Sequence, residues 1–305
     1  MTTQNTTGHG IDNRVKCRLN QERVLLVLHR FGWLPVRQVH QACWPDKSTP
    51  RNAQEYLAQL LKLKQVAFKQ GPDGSRVYAL TAQGARRLRA ELGVEAMFDA
   101  DFTRRAMPTF QHRCLANDAC LWWSNLNGPT GYYTEHEIAT GRAPVTCAPQ
   151  YMTDPLGKIP DALLTLQMEV NDENPYSTWY TWVEVENSEK SKAAHEHMVT
   201  ALCDVIGLGK QPWEIGSASV MRFAIVVCPH LNQESKLVEG MLKFLGKNKA
   251  NYDARTIVNR LYIWRPGAEE GIALRQWIEE RPAYLALRDK HRLWWPAPPK
   301  CAATD

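Results

Sequence analysis

The chain has 305 residues, of which 44% are hydrophobic and 23% charged, and this composition is typical of soluble globular proteins and excludes a mainly disordered chain. No apolar run reaches the roughly 18 residues of a membrane span. The N-terminal stretch MTTQNTTGHGIDNRVK lacks the apolar core of a secretory signal. We therefore expect a cytoplasmic protein with room for two domains and no membrane partner. The eight cysteines form no CxxC pair, which favours reduced, buried thiols over disulfides or a zinc site.

Charge is distributed unevenly along the chain. Residues 1–110 contain 17 Lys and Arg against 9 Asp and Glu, a balance of +8, whereas residues 111–305 contain 20 against 23, a balance of −3. A basic domain of this size favours a polyanionic partner, nucleic acid above all. A solvated surface without such a partner would give the same totals, because totals do not reveal which residues share a face.

The basic half begins with three predicted helices. Apolar residues recur at helical spacing over 20–31, and Gly32 follows where a helix would end. A second short helix fits 35–43, and a third runs over 49–64. Two strand-like runs, VAFKQ and SRVYALT, then flank the turn GPDG and predict a hairpin.

The third predicted helix has two distinct faces. It starts with Ser48 or Thr49 as N-cap, and Pro50 lies in its first turn. Its buried face consists of Ala53, Tyr56, Leu57, Leu60 and Leu63. Its opposite, polar face carries Arg51, Asn52, Glu55, Gln59 and Lys62.

Three helices, a hairpin and a further helix opened by Thr81 form an order that resembles the winged helix-turn-helix domains of bacterial regulators. The segment YALTAQGARRL is similar to the exit from the wing of such a domain. The resemblance implies that the third helix enters the major groove of double-stranded DNA. Its N-terminal residues Arg51, Asn52 and Glu55 would then reach base edges. The wing residues meant to contact phosphate are Lys69, Ser75 and Arg76. A winged domain used for protein contacts is the alternative.

The acidic half follows a predicted linker at 97–109. A helix over 110–125 precedes a run of strands rich in aromatic and β-branched residues. The predicted strands are 131–140, 158–168, 177–187, 220–228 and 256–264, and the predicted helices among them are 189–206 and 231–246. The element order α-β-β-β-α-β-α-β predicts a mixed α/β fold.

Three acidic residues lie on neighbouring predicted strands of this half. Asp161 follows Pro160 early in one strand, and Glu184 and Glu186 lie two apart on the next, where they project to one face. Converging carboxylates repel one another unless a cation neutralises them, and oxygen ligands favour magnesium or manganese. Such a metal could activate water for phosphodiester cleavage. On their own, the same residues also fit a turn acid and the solvent face of an amphipathic strand.

The strand order, Pro160-Asp161 and Glu184-x-Glu186 resemble the PD-(D/E)XK nuclease superfamily. The resemblance implies a restriction-endonuclease-like domain with Asp161 and Glu184 as metal ligands. Glu186 stands where that motif has lysine. Lys190 or Lys192, just beyond the strand, would have to supply the cation.

A resemblance covering about residues 15–265 is to the replication-relaxation family of plasmid and mobile-element proteins. It rests on the order of YALTAQGA, HRCLAND, TEHEI, IPDALL and VEVEN. The resemblance implies a DNA-binding accessory factor or regulator in replication, mobilisation or conjugative transfer, whose nuclease-like domain is degenerate. The alternatives are an active metal-dependent endonuclease that nicks DNA, and a scaffold for a relaxase or other transfer proteins. A homodimer is a further expectation.

These inferences give four predicted segments. A winged helix-turn-helix domain spans 15–96 and the linker spans 97–109. The nuclease-like domain spans 110–265, and a helical tail rich in tryptophan and proline spans 266–305. The tail residues RLWWPAPPKCAATD either fold back onto the body or form a docking surface, because two adjacent tryptophans are costly to leave exposed.

Overall fold

A computed structural model describes residues 12–126, 130–143, 159–168, 177–207 and 219–293, together with Trp295. The chain divides into two units, Met1–Phe110 and Gln111–Asp305. The fold is mixed α and β, and no described helix has the length and apolar character that a membrane crossing needs.

The first unit combines helices with a small antiparallel sheet. Its elements are α1 (Asn13–Phe31), β1 (Trp33–Pro35), α2 (Val36–Cys43), α3 (Arg51–Lys62), β2 (Val66–Gln70), β3 (Arg76–Leu80) and α4 (Ala82–Leu92). The sheet order is β1-β3-β2, so the predicted hairpin is confirmed and β1 adds an unpredicted third strand. The three predicted helices are also confirmed, although α1 begins seven residues earlier than expected.

Helix α1 supplies the centre of this unit's core. Val24, Leu25, Leu28 and Phe31 are fully buried, as their helical spacing predicts. Burying each such side chain contributes about 1.5–3 kcal/mol. Leu63 was expected in the same core but is 45% exposed, because α3 ends at Lys62.

Residues 97–109, predicted as a linker, lie within the first unit. Phe102 and Phe110 are buried, and the Phe110 ring stacks on Trp33 with centroids 5.5 Å apart. The boundary after Phe110 differs from the predicted end at 96, because these two aromatic rings pack on the sheet side of the unit.

The second unit is built on a mixed sheet. Its elements are α5 (Phe110–Ser124), β4 (Thr130–Thr134), α6 (Glu135–Ala139), β5 (Ala162–Met168), β6 (Ser177–Val185), α7 (Lys192–Gly207), β7 (Ser219–Val227), α8 (Leu231–Lys247), α9 (Ala254–Arg260), β8 (Leu261–Trp264), β9 (Ile272–Ala273), α10 (Leu274–Glu279) and α11 (Pro282–Lys290). In the described chain the strand order is β4-β5-β6-β7-β8-β9. Strands β6, β7 and β8 are parallel to one another, and the remaining neighbours are antiparallel.

Two segments predicted as strands in this unit are helical over about half of their length. Residues 135–139 form α6, because Thr134 and Glu137 make a reciprocal capping box at its start. Residues 254–260 form α9, because the Asp253 carboxylate accepts from the backbone N–H of Arg255 and Thr256. Of the strands predicted at 131–140 and 256–264, the structure therefore confirms only the parts that lie in β4 and β8.

The main core of the second unit lies on one face of the sheet, beneath α7 and α8. Trp182 of β6 is buried there, opposite Leu163 of β5 and beside Ala224 of β7. Helix α5 contacts the sheet separately, since the Trp123 indole donates to the carbonyl of Thr165 at 2.9 Å. With helices over it, the central strand β6 is buried on both faces.

The structure describes part of the predicted tail. Residues 274–290 are largely helical, in α10 and α11. Trp295 is 3% exposed and its indole donates to Glu279, so it folds back onto the body. Trp294, residues 296–305, the predicted strand start at 158 and Cys147 lie outside the described residues.

Candidate functional site

The carboxyl end of β6 carries two buried acids. Glu184 is 1% exposed and Glu186 is 5% exposed. The alternation of acids with Val183 and Val185 suggested a solvent-facing strand surface, but the strand is central and both its faces are covered. Two buried carboxylates so close in the chain require a compensating positive charge.

Lys190 supplies that charge. Its Nζ lies 2.8 Å from Oε2 of Glu186 and 3.4 Å from Oε1 of Glu184. Burial alone would lower the pKa of this ammonium, but the two carboxylates outweigh burial and the net pKa shift is upward. The cluster Glu184–Glu186–Lys190 therefore carries a firmly protonated lysine. Lys192, the other candidate, begins α7 and is exposed, so only one of the two lysines reaches the acids.

Asp161 has different partners from the two glutamates. Its Oδ2 accepts from the backbone N–H of Val185 at 2.7 Å, and its Oδ1 lies 2.9 Å from Nε2 of His112 on α5. Its own N–H donates to the carbonyl of Val183 at 2.9 Å, which fixes it beside β6. Asp161 is thus next to the strand that bears Glu184, but its carboxylate is engaged with α5.

His112 connects this edge of the sheet to α5. Its Nδ1 lies 3.3 Å from Oδ1 of Asn187, so both ring nitrogens face oxygen acceptors. Burial lowers the pKa of the imidazole, but the Asp161 carboxylate raises it more and the net shift is upward. The geometry favours an imidazolium that donates from both nitrogens. Nearby, burial raises the pKa of Glu135, and the Arg113 guanidinium offsets part of this rise.

The magnesium or manganese ion that the nuclease resemblance implies would be held by Asp161 and Glu184. Among the described residues no group of three or more His, Cys, Asp or Glu is placed to hold a metal ion. The two oxygens of Asp161 have His112 and Val185 as partners, and Oε1 of Glu184 and Oε2 of Glu186 face Lys190. A metal ion held by Asp161 and Glu184 would have to displace these contacts.

A pocket of about 800 Å³ opens beside the cluster, between α7 and α8. Glu186, Lys190 and His195 lie at one end of it. Ligand sites in α/β proteins commonly form at the carboxyl ends of parallel strands, where β6 and β7 end here. Burial lowers the pKa of His195, which favours the neutral ring.

Gly240 of α8 makes the close packing of His195 against α8 feasible. A Cβ at Gly240 would lie 2.2 Å from Nε2 of His195, which is far closer than van der Waals contact. That nitrogen is buried and has no hydrogen-bond partner among the described residues. Glycine inside a helix costs about 1 kcal/mol relative to alanine, and here it allows the imidazole to reach α8.

In the first unit, the start of α3 is open to solvent. Pro50 takes the N-cap position instead of Ser48 or Thr49, and it has no side chain able to cap the first amides. Arg51 and Glu55 are exposed and Asn52 is half-buried, while Lys62 is exposed at the far end. The preceding turn is fixed by Trp44, whose ring stacks on Tyr56 at 5.5 Å.

Two residues expected on the DNA-facing surface are engaged inside the first unit. Gln59 accepts at Oε1 from Gln21 at 2.9 Å, because α1 extends back far enough to cover this side of α3. Lys69 donates to the carbonyl of Arg105 and its Nζ lies 4.7 Å from the centroid of Phe102. Burial lowers the pKa of Lys69. Both side chains therefore make contacts within the first unit, although the sequence predicts them on the DNA-facing surface.

The remaining hairpin residues lie near the β2–β3 turn. Ser75 is half-buried and its hydroxyl donates to Asp73 at 2.7 Å. Arg76 is exposed, with its guanidinium carbon 5.3 Å from the centroid of Phe68. Of the three residues proposed for phosphate contact, Arg76 is the one with an exposed cationic side chain.

The chain matches none of the family models, curated proteins or solved structures with which it was compared. The site residues that sequence reasoning missed are His112, Asn187 and His195. His112 lies in HRCLAND, but the contact with Asp161 spans 49 positions and has no local signal.

Proposed function

We propose that the protein binds double-stranded DNA through its first unit, acting as a winged helix-turn-helix domain with α3 in the major groove. The observation that carries this proposal is the open start of α3, where Arg51 and Asn52 stand beside uncapped backbone amides. Arginine can fork onto guanine and asparagine onto adenine, while free amides at a helix start favour a phosphate. The +8 balance of residues 1–110 adds sequence-independent attraction.

The element order supports the same assignment. A turn joins α2 to α3, and Arg23 of α1 donates to the carbonyl of Cys43 at the end of α2 at 3.0 Å. The β2–β3 hairpin follows as the wing. Within this proposal the biological setting is plasmid or integrative-element DNA. There the protein would be an accessory factor or regulator in replication, mobilisation or transfer, as the replication-relaxation resemblance implies.

The test is binding to a random pool of duplex DNA followed by measurement on the selected site. Arg51→Ala and Asn52→Ala should each weaken binding by about 1–3 kcal/mol and relax the sequence preference at one base pair. Arg89→Ala, an exposed arginine on α4, is the matched control. Affinity should fall steeply with added salt. Unchanged affinity in both α3 variants would remove the assignment, and salt-insensitive association would favour a relaxase or other protein partner.

An endonuclease is the second candidate, favoured by the buried Glu184–Glu186–Lys190 cluster at a strand end. Because both oxygens of Asp161, one of the two metal ligands that the resemblance implies, already have partners, we expect supercoiled DNA to stay intact with magnesium or manganese. Cleavage that disappears in Asp161→Ala would instead establish the nuclease. The nuclease-like domain is therefore proposed as a retained fold without catalysis.

A further inference from the structure

Most of the residues that line the pocket between α7 and α8 are polar or charged, and they include five lysines and four glutamates. Lys236, Lys243 and Lys247 of α8 face it at positions separated by seven and four residues, which places them along one side of the helix. Lys192 faces it from the start of α7. We call this space the α7–α8 groove. Apart from Lys190, which is paired with Glu184 and Glu186, its four lysines face three glutamates, Glu189, Glu196 and Glu239.

The acids of the groove neutralise its lysines only weakly. Lys236 lies 3.1 Å from Glu189 and Lys243 lies 3.5 Å from Glu239, but all four side chains are about half exposed or more. Exposed pairs of this kind contribute about 0–1 kcal/mol and exchange readily for another anion. Lys192 and Lys247 have no ion pair with any described residue. The remaining acid, Glu196, lies on the α7 side.

Positive charge accumulates further where the groove reaches the end of α8. Lys243, Lys247, Lys249 and Lys290 all lie close enough to His291 to lower its pKa, after the effect of burial. Lysines at a helix C-terminus also complement the helix dipole. Of these four lysines, Lys249 and Lys290 extend the row of Lys236, Lys243 and Lys247.

The size of the groove restricts the ligand. About 800 Å³ is the volume of a small-molecule site and accommodates a few nucleotides of a single strand, but not a duplex. Phe244 also lines the groove, half-buried with its ring centroid 5.3 Å from that of Tyr252, while Asn232 and Gln233 offer amides. A row of lysines along a groove is the electrostatic part of what proteins use to bind single-stranded nucleic acid.

We propose that the α7–α8 groove binds a single strand of DNA, whose phosphates contact the lysine row Lys236, Lys243 and Lys247. This site is separate from α3, and it goes beyond duplex recognition by the first unit. Phosphate contact of this kind requires no particular base sequence.

The experiment measures binding of the full chain to a fluorescent oligothymidine. Lys243→Glu and Lys247→Glu should each weaken binding at least roughly tenfold, because each replaces a phosphate contact with a like charge. The slope of log affinity against log salt should become shallower by about 0.7 for each lysine removed. Arg255→Glu, an equal charge change at an exposed residue of α9 outside the groove, is the control.

The outcomes separate this site from the one proposed for duplex DNA. An Arg51→Ala, Asn52→Ala double variant should lose duplex binding and keep oligothymidine binding. The groove assignment is overturned if the wild-type chain does not bind oligothymidine, or if Lys243→Glu and Lys247→Glu weaken it no more than Arg255→Glu. It is also overturned if the α3 double variant abolishes oligothymidine binding.

Discussion

The Nζ atom of Lys190 lies 2.8 Å from Oε2 of Glu186, four residues earlier in a segment that is not helical. The chain turns back at the end of β6, and this turn brings one ammonium onto two buried carboxylates. Lys190 is therefore the internal counter-ion of Glu184 and Glu186.

Replacing Lys190 by methionine should destabilise the second unit by about 3–5 kcal/mol, because it leaves two buried carboxylates without a counter-ion. Denaturant unfolding would measure this change. Lys192→Met is the matched control, and its effect should stay within about 0.5 kcal/mol since that side chain is exposed. Equal effects of the two substitutions would contradict the counter-ion role.

The contact between His112 and Asp161 should make the cost of His112→Gln depend on pH. The pKa of His112 is raised in the folded state, so the stability it contributes is full below its unfolded pKa of about 6.5 and is lost as pH rises through the folded value. The substitution should therefore cost more at about pH 6 than at about pH 9. In an Asp161→Asn background this pH dependence should disappear, and its persistence there would show a different partner.

Gly240→Ala should destabilise the protein by about 1–3 kcal/mol, because the new Cβ would collide with the His195 ring. Gly246→Ala is the comparison within the same helix. Its Cβ would lie 2.7 Å from Nδ1 and 2.9 Å from Cβ of His291, so this substitution should be destabilising too, but His195→Ala should not rescue it. Combining Gly240→Ala with His195→Ala should recover most of the loss in thermal unfolding. If the double variant recovers nothing, the collision is not the cause.

Gln59→Ala should lower the stability of the first unit by about 1 kcal/mol and leave DNA affinity unchanged, because its carbonyl accepts from Gln21 of α1. Gln54→Ala, the same change at an exposed position of α3, should leave stability unchanged. If Gln59→Ala lowers DNA affinity without lowering stability, Gln59 contacts DNA and the role assigned here is wrong.

Periodicity and turn residues were sufficient to predict the helices and the hairpin of the first unit. They failed where an element is short or changes type within a few residues. The capping sequence Thr134-x-x-Glu137 is a local signal for α6, and Asp253 is one for α9, but aromatic and β-branched neighbours favoured strands at both places.

The candidate site was predictable only in part, because its contacts span large sequence distances. The acids were found from Pro160-Asp161 and Glu184-x-Glu186, and Lys190 was one of the two lysines expected to approach them. The burial of Glu184 follows from the central position of β6 in the sheet, which the alternation along one strand does not reveal. The approach of His195 to Gly240 depends on two helices packing together.

The stacking of Phe110 on Trp33, together with the burial of Phe102, determines where the chain can be cut. A fragment ending at residue 96 would lack Phe102 and Phe110. The hydrophobic surface around Trp33 would then be exposed, and the fragment should aggregate on expression. One ending just after Phe110 keeps both rings, and it is the shortest piece suited to isolated study of DNA recognition.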